Sequence, residues 1–240
     1  MTMAEKGRLY LIPSPLGEYD PAQVLPAPVL AKIKDIKTYV VEEERTVRRF
    51  LSAAGLKGHI AELKMIELNE HTTPAEVEAM LPLFDGGQDV GLVSEAGLPA
   101  VADPGSALVA LCHAHGIQVV PFTGPSSLML ALMASGLNGQ SFAFCGYLPA
   151  KTDERRSAIR AVEKRSRDLN QSEIMIETPY RNDSFLADLV AGCNPSTRIC
   201  VAVNVTCEDE WIMTRTAAQW KKNMPAIGKR PCVFIMLAAR

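Results

Sequence analysis

The chain is short of the residues that build metal centres and disulfide frameworks. Its 240 residues include four histidines and six cysteines. The cysteines (Cys112, Cys145, Cys193, Cys200, Cys207 and Cys232) form no C-x-x-C pair and have no histidine at zinc-ligand spacing. They read as reduced, mostly buried thiols of a cytoplasmic protein, and no metal is expected. No apolar run approaches the roughly eighteen residues of a membrane span, and the opening MTMAEKGRLYLIP lacks an apolar leader core, so neither insertion nor export is expected. Charge of one sign is missing too: 25 basic against 27 acidic residues leave a net of −2. A polyanion would therefore have to be held by a local patch. The dinucleotide fingerprint G-x-G-x-x-G, the Walker G-x-x-x-x-G-K-[ST] and the hydrolase elbow G-x-S-x-G are all absent. Dehydrogenases, nucleotide triphosphatases and α/β-hydrolases of the usual kinds are thereby disfavoured.

What is present is ordinary globular composition, 48% hydrophobic and 22% charged, with no repeat or low-complexity segment. Apolar runs at 8–12, 36–41, 65–68, 90–93 and 117–121 predict strands. Between them, 45–54, 75–84 and 105–115 carry apolar positions at three and four spacing and predict helices. Such alternation implies a mostly parallel, doubly wound sheet. The segment TGPSSLMLALMASGL follows, an Ala/Leu/Met helix stopped at Gly136 and apolar almost all round, which predicts burial between layers. Later strands are expected at 142–145, 173–177, 199–204, 211–214 and 232–237, with helices at 154–166, 182–191 and 217–223. Two consecutive strands, 199–204 and 211–214, imply a hairpin, hence a mixed sheet and a second α/β domain. The boundary is placed near 122/123, giving domains 1–122 and 123–240.

In an open parallel sheet, ligands bind beyond the carboxyl ends of the strands. Three Gly- and Pro-rich loops fall there: Pro13-Ser14-Pro15-Leu16-Gly17, the run SEAGLPAVADPG from Ser94 to Gly105, and Thr123-Gly124-Pro125-Ser126-Ser127. Each alone is a tight strand-to-helix turn; three at successive strand ends predict one shared crevice. A local basic patch also exists. Between Lys151 and Arg167, seven basic residues face three acidic ones, either a solvated helix face with i,i+4 pairs or an RNA-contacting one.

The stretches LYLIPSPLG, VSEAGLPAVADPG, VVPFTGPSSLMLALMASGL, FAFCGYLPAKTDERR and IETPYR resemble, in order and spacing, the tetrapyrrole methylase superfamily of S-adenosylmethionine-dependent methyltransferases. Within it they are most similar to the branch of the small-subunit ribosomal RNA 2′-O-ribose methyltransferases I. The resemblance covers nearly the whole chain. It implies two α/β domains with the methyl donor in the cleft between them, a homodimer, and an RNA acceptor. The first domain would carry the acceptor side and part of the cleft, and the second would complete it. The donor S-adenosylmethionine, leaving as S-adenosylhomocysteine, would be lined by Pro13, Pro15, Leu16, Ser94, Glu95, Ala96, Gly97, Ser126, Ser127, Ala202 and Val203.

A hydroxyl acceptor needs a base for its proton. Glu42, Glu43, Glu44, Glu95, Asp103 and Glu177 are available, with Arg45 and Arg181 as anion anchors. The candidate catalytic set is Glu42, Arg45, Glu95, Glu177 and Arg181, while Asp103 reads first as a helix cap. VVEEERTVRRFL resembles the family's A-E-D-T-R-x-T-R-x-L-L, and equally a salt-bridged surface helix. His71 in NEHTTPAE matches a polar loop of that branch or a helix-entry loop.

The match breaks at points of chemistry. The family's S-D-A-G-T-P is here Ser94-Glu95-Ala96-Gly97-Leu98-Pro99, and its A-R-E-L-T-K is Ala202-Val203-Asn204-Val205-Thr206-Cys207, which loses three charged groups. The alternatives to RNA methylation are therefore methylation of a corrin or porphyrin, or a catalytically silent module that binds the donor or RNA.

Overall fold

Short apolar runs alternate with helices through the first half of the computed structural model, which describes residues 6–239. Met1–Glu5, where the leader reading begins, and Arg240 lie outside the described residues. The order is β1 (Leu9–Leu11), α1 (Ala27–Asp35), β2 (Thr38–Val41), α2 (Glu44–Leu51), β3 (Lys64–Glu67), α3 (Pro74–Glu78), β4 (Val90–Val93), α4 (Ser106–Ala114) and β5 (Val119–Pro121). The five strands form one wholly parallel sheet in the order β3-β2-β4-β1-β5. Strands β2 and β4 are buried at every residue, as central strands covered on both faces must be. Two apolar clusters cover them: Ile33, Val47, Phe50 and Leu51 with Tyr39 in one, Phe84, Leu108 and Cys112 with Val40 in the other.

Helix α1 has no counterpart among the sequence-predicted elements. Pro26 and Pro28 stand at its start, where a missing N–H costs nothing. The helix predicted over 75–84 is instead α3 plus a 3₁₀ turn, Leu81–Phe84, with Pro82 inside the turn. Helix α2 ends in a π-helical turn, Ser52–Leu56.

The chain divides into two units between Ser126 and Ser127, four residues beyond the sequence-placed boundary. Residues 123–126 stay with the first unit because Gly124 packs against Pro13. The second unit runs α5 (Ser127–Ser135), β6 (Phe142–Tyr147), α6 (Thr152–Leu169), β7 (Ser172–Ile176), α7 (Asn182–Gly192), β8 (Arg198–Val203), β9 (Trp211–Thr216), α8 (Ala217–Lys222) and β10 (Cys232–Leu237). Its sheet has the order β6-β7-β10-β8-β9, parallel between β6 and β7 and antiparallel elsewhere, with β8 and β9 forming the expected hairpin. The two units are thus α/β domains, one parallel and one mixed.

One face of the second sheet is closed by α6, α7 and α8 over a core of Ile159, Phe185, Leu189, Trp220 and Phe234. The basic run on α6 proves largely neutralised. Arg155 and Arg156 meet Asp188, Lys164 meets Asp168, Arg165 meets the fully buried Glu173, Arg167 meets Glu163, and Lys151 meets Glu154. Arg160 bonds Ser157. Of the two readings of this run, the structure favours the ion-paired helix face. All six cysteines are free thiols; Cys112, Cys193, Cys200 and Cys232 are buried.

Candidate active site

The three Gly- and Pro-rich loops do converge, at the carboxyl ends of β1, β4 and β5. The chain leaves β1 and pairs briefly with the loop after β4. The Ser14 N–H donates to the Gly97 carbonyl at 2.9 Å, and the Gly97 N–H returns a bond to the Ser14 carbonyl at 3.1 Å. The Ser14 hydroxyl adds a bond to the Ser94 carbonyl at 3.1 Å. Gly97 is left-handed (φ +79°), and a Cβ there would lie 3.2 Å from Leu16 and 3.6 Å from the Pro125 carbonyl. At Gly124 a Cβ would sit 2.3 Å from Pro13, so the third loop can close on the first only without one.

Beside this junction opens a cavity of about 590 Å³ lined by Ser14, Pro15, Leu16, Tyr19, Glu95 and Ala96 together with Thr46, Arg49, Phe50 and Ala53. Thr46, Arg49 and Phe50 share one face of α2 at three and four spacing, and Ala53 follows in the π-helical turn. Arg45, one position off that face, is exposed and does not line the cavity. The sequence carried this signal as helical periodicity, but the conspicuous VVEEER charges drew attention to Arg45 instead. The helix itself is started by Glu43, whose carboxylate accepts from the Arg45 and Thr46 N–H groups at 2.9 and 2.6 Å. Glu44 pairs with Arg48, and Arg49 with Glu18 at 3.5 Å on the cavity rim.

Glu42 follows β2 directly and accepts, at 3.4 Å, from the Glu95 N–H. Burial first, and the Asp103 carboxyl second, push the Glu42 carboxyl above the ordinary carboxylate range. The Glu95 N–H partly offsets this, while the Glu95 and Glu70 carboxyls add to it. Asp103 is raised as well, by burial and by Glu95, and held back by the buried Ser94 hydroxyl. Asp103 does not cap α4, contrary to its first reading: the N-cap is Gly105, without a side-chain bond. Instead the loop turns through two left-handed alanines, Ala100 (φ 63°) and Ala102 (φ 65°), and Asp103 ends beside Ser94 and Glu42. Each such alanine costs about 1–2 kcal/mol, strain that collects at functional loops.

The remaining candidates lie elsewhere. Glu177 and Arg181 are in the second unit after β7, where the buried Glu177 Oε1 takes bonds from Arg181 Nε and Nη2 at 3.0 and 2.7 Å and from the Thr178 N–H at 2.7 Å. They hold one another. Ala202 and Val203 belong to β8 with fully buried side chains, and Ser127 starts α5. His71 is exposed in the loop before α3, whose capping box is Thr73 with Glu76. That is the helix-entry loop.

The cavity suits a nucleoside-like ligand. Its volume lies within the range of small-molecule sites, about 300–1,000 Å³. Its lining mixes Pro15, Leu16, Phe50 and Ala53 with the polar and charged Tyr19, Thr46, Arg49 and Glu95, and the position of Leu16 depends on Gly97, whose Cβ would lie 3.2 Å from it.

The chain resembles known proteins in sequence and in fold. The sequence profile described as Tetrapyrrole (Corrin/Porphyrin) Methylases matches residues 25–220. The chain is 32% identical over 201 residues to "Ribosomal RNA small subunit methyltransferase I" of Escherichia coli O157:H7, covering 84% of this chain and 66%, just under two thirds, of that relative. It is 30% identical over 224 residues to the protein of the same name from Neisseria meningitidis serogroup B, covering 93% and 72%. Among solved structures, uroporphyrin-III C-methyl transferase from Thermus thermophilus, complexed with S-adenosyl homocysteine, shares the fold with a TM-score of 0.60 at 15% identity, over 96% of this chain and 97% of that one. The methyltransferase CobJ matches with a TM-score of 0.64 at 17% identity, over 97% and 95%. The chain belongs to the tetrapyrrole methylase family of S-adenosylmethionine-dependent methyltransferases, in the branch that holds the ribosomal RNA small subunit methyltransferases I.

Proposed function

We propose that this protein methylates a ribose 2′-hydroxyl of ribosomal RNA, with Glu42 as the proton acceptor. S-adenosylmethionine supplies an activated methyl group whose leaving group is a neutral thioether, S-adenosylhomocysteine. Pro15, Leu16, Glu95 and Ala96 would hold that methyl donor, with Pro13, Ser94 and Gly97 fixing the wall behind them. Ser126, Ser127, Ala202 and Val203 remain proposed contacts, the last two through backbone groups. The acceptor oxygen attacks the methyl carbon, the carbon–sulfur bond breaks with its electrons going to sulfur, and the hydroxyl proton passes to the Glu42 carboxylate.

The observation that carries this reading is the placement of Glu42. It is a half-buried carboxyl at a strand's carboxyl end, behind the cavity-lining Glu95, with its proton affinity raised toward that of a useful base. The RNA acceptor is supported by what the relatives are named. Arg45, Glu95, Glu177 and Arg181 act, in this reading, as positioning or anchoring groups. In this reading the protein works as a homodimer in the cytoplasm, as the family resemblance and the unpaired cysteines lead one to expect.

Tritiated methyl transfer to ribosomal RNA from cells lacking the protein tests the proposal. The expected result is label on a ribose oxygen, lowered about 10²–10⁴-fold by Glu42→Gln, with S-adenosylhomocysteine binding by calorimetry unchanged. Label in a corrin or porphyrin precursor would replace RNA by a tetrapyrrole. Ligand binding without turnover on either would make the protein a silent module.

A further inference from the structure

From Trp211 to Arg240 the sequence has no Asp or Glu. Cations are plentiful over the same stretch: Arg215 lies near the end of β9, Lys221 and Lys222 finish α8, and Lys229 and Arg230 lie in the turn before β10. The basic run of α6 is largely matched by acids. Here, among the described residues, none of these five cations stands in an ion pair.

The fold strings them along one side of the second sheet. Thr216, where α8 begins, is in register with Arg198 at the start of β8, and Cys232, where β10 begins, is in register with Val203 at its end. Residues 217–231 therefore run the length of β8, about 17 Å. The two arginines are tied to backbone: Arg215 Nη1 donates to the Asn223 carbonyl at 3.4 Å, and Arg230 Nε donates to the Ile227 carbonyl at 2.8 Å. The turn is clamped onto the start of α7, where the Asp183 carboxylate accepts from the Ile227 N–H at 2.7 Å and Asn182 Nδ2 donates to the Arg230 carbonyl at 2.8 Å. The loop between β8 and β9 is acidic, but Asp209 accepts from Asn204 Nδ2 and Glu210 from the Thr206 N–H. Lys221, Lys222 and Lys229 are left exposed.

A row of unpaired lysines suits a polyanion, and the side chains around it narrow the kind. Single-stranded nucleic acid is held by aromatic rings on which its bases stack. The tryptophans of this stretch offer none: Trp220 is fully buried, its Nε1 donating to the Ile199 carbonyl at 2.9 Å, and Trp211 packs against it on the core. Lysine is a flexible point charge that meets phosphate without reading a base. Helical RNA is recognised in this way, through its backbone and its shape.

We infer that Lys221 and Lys222 of α8, with Lys229 of the turn before β10, hold the phosphate backbone of double-helical RNA. The inference rests on the RNA acceptor proposed above and adds a second hold on that RNA, independent of its sequence and made by the second unit alone. The acceptor nucleotide itself stays with the cavity of the first unit, and the lysines take a base-paired part of the same molecule.

Fluorescence anisotropy of the full chain with a labelled RNA hairpin, its stem about 16 base pairs long, tests it. Three phosphate contacts predict a loss of roughly 40-fold in hairpin affinity as salt rises from about 50 to about 200 mM. The triple variant Lys221→Glu, Lys222→Glu, Lys229→Glu should bind the hairpin at least about 30-fold more weakly at the lower salt, with a flattened salt slope. Its circular dichroism and its S-adenosylhomocysteine binding should match the wild type, since all three side chains are exposed. Should the reversals unfold the chain, the triple alanine variant carries the comparison. The same charge change at the exposed Lys34, Lys37 and Lys57 of the first unit should alter hairpin affinity by no more than about twofold. Equal losses from both triples would reduce the effect to overall charge and overturn the inference. Ribosomal RNA methylated by a chain that binds no hairpin overturns the lysine row and leaves the methylation standing. A hairpin bound through these lysines, with no methyl transferred to RNA, leaves the row standing and overturns the acceptor. Poly-glutamate that displaces the hairpin at equal charge, and loses this in the variant, makes the row a site for an acidic protein instead.

Discussion

A methyl group at Gly97 would meet two obstacles, a left-handed backbone and the Leu16 side chain 3.2 Å away. Gly97→Ala should therefore lower stability by about 1–2 kcal/mol from backbone strain, read by urea unfolding. It should also weaken S-adenosylhomocysteine binding in calorimetry, because the Ser14–Gly97 pairing that shapes the wall must shift. Glu42 makes a second prediction at this scale. Its carboxyl is raised in the folded chain, so between its ordinary value and the raised one the native state holds a proton that the unfolded chain has released. Stability then falls as pH rises through that interval. Glu42→Gln should match the wild type below the interval and exceed it in stability above, in urea titrations at a series of pH values. Methyl transfer should have its acid limb at a pH above the ordinary carboxylate range. Sequence alone put Glu42 on a short roster of acids and could go no further, since its neighbour Asp103 lies 61 positions away in the chain. Asp103 was misread as a cap because D-P-G before a helix is the usual cap signature. The two left-handed alanines that turn it inward leave no trace in composition.

Among the elements, α6 shows how an apparent binding patch can be structural. Its Arg155 is 4% exposed and donates through Nε to Asp188 at 2.8 Å, while Lys164 and Asp168 form an open pair on the surface. Removing one partner of a buried pair strands a charge and costs about 3–5 kcal/mol, whereas an exposed i,i+4 pair is worth about 0.3–0.5. Asp188→Asn should accordingly lower the urea-unfolding free energy by several kcal/mol, and Lys164→Ala by less than about 0.5 kcal/mol. Equal losses would show that the two pairs are equally solvated. The helix was legible in the sequence, as were all ten strands, because buried parallel strands and a hairpin write themselves as apolar runs with turns between. The partners of its basic residues were not legible, for Asp188 and Glu173 lie on α7 and β7 and only the packing of α6 against them brings the charges together. Helix α1, with Pro26 and Pro28 at its start, has no counterpart in the sequence reading, and although the α2 helix was legible, which of its faces meets the cavity becomes plain only once the sheet gives it an inside.

For the whole molecule, a net charge of −2 and the pairing of the α6 cations limit how RNA can be held. Counterion release scales with the number of phosphates neutralised, and proteins making 6–10 such contacts lose about 10³–10⁵ in affinity when salt rises fourfold from 50 mM. Here the cavity is lined by one basic side chain, Arg49, already facing Glu18, and its wall is otherwise backbone, apolar and acidic. An acceptor bound there would be recognised by shape and hydrogen bonds around the ribose, with two or three phosphate contacts at most. The expected loss over the same salt range is about 10-fold for a single-stranded acceptor, read by fluorescence anisotropy of a labelled ribosomal RNA fragment. A steep dependence would mean that a basic surface outside this cavity carries the RNA, and would move the acceptor site away from α2. Loss of binding to RNA at every salt concentration, with S-adenosylhomocysteine still bound, would instead argue that this cavity, with Arg49 as its one basic lining residue, was made for a small acceptor.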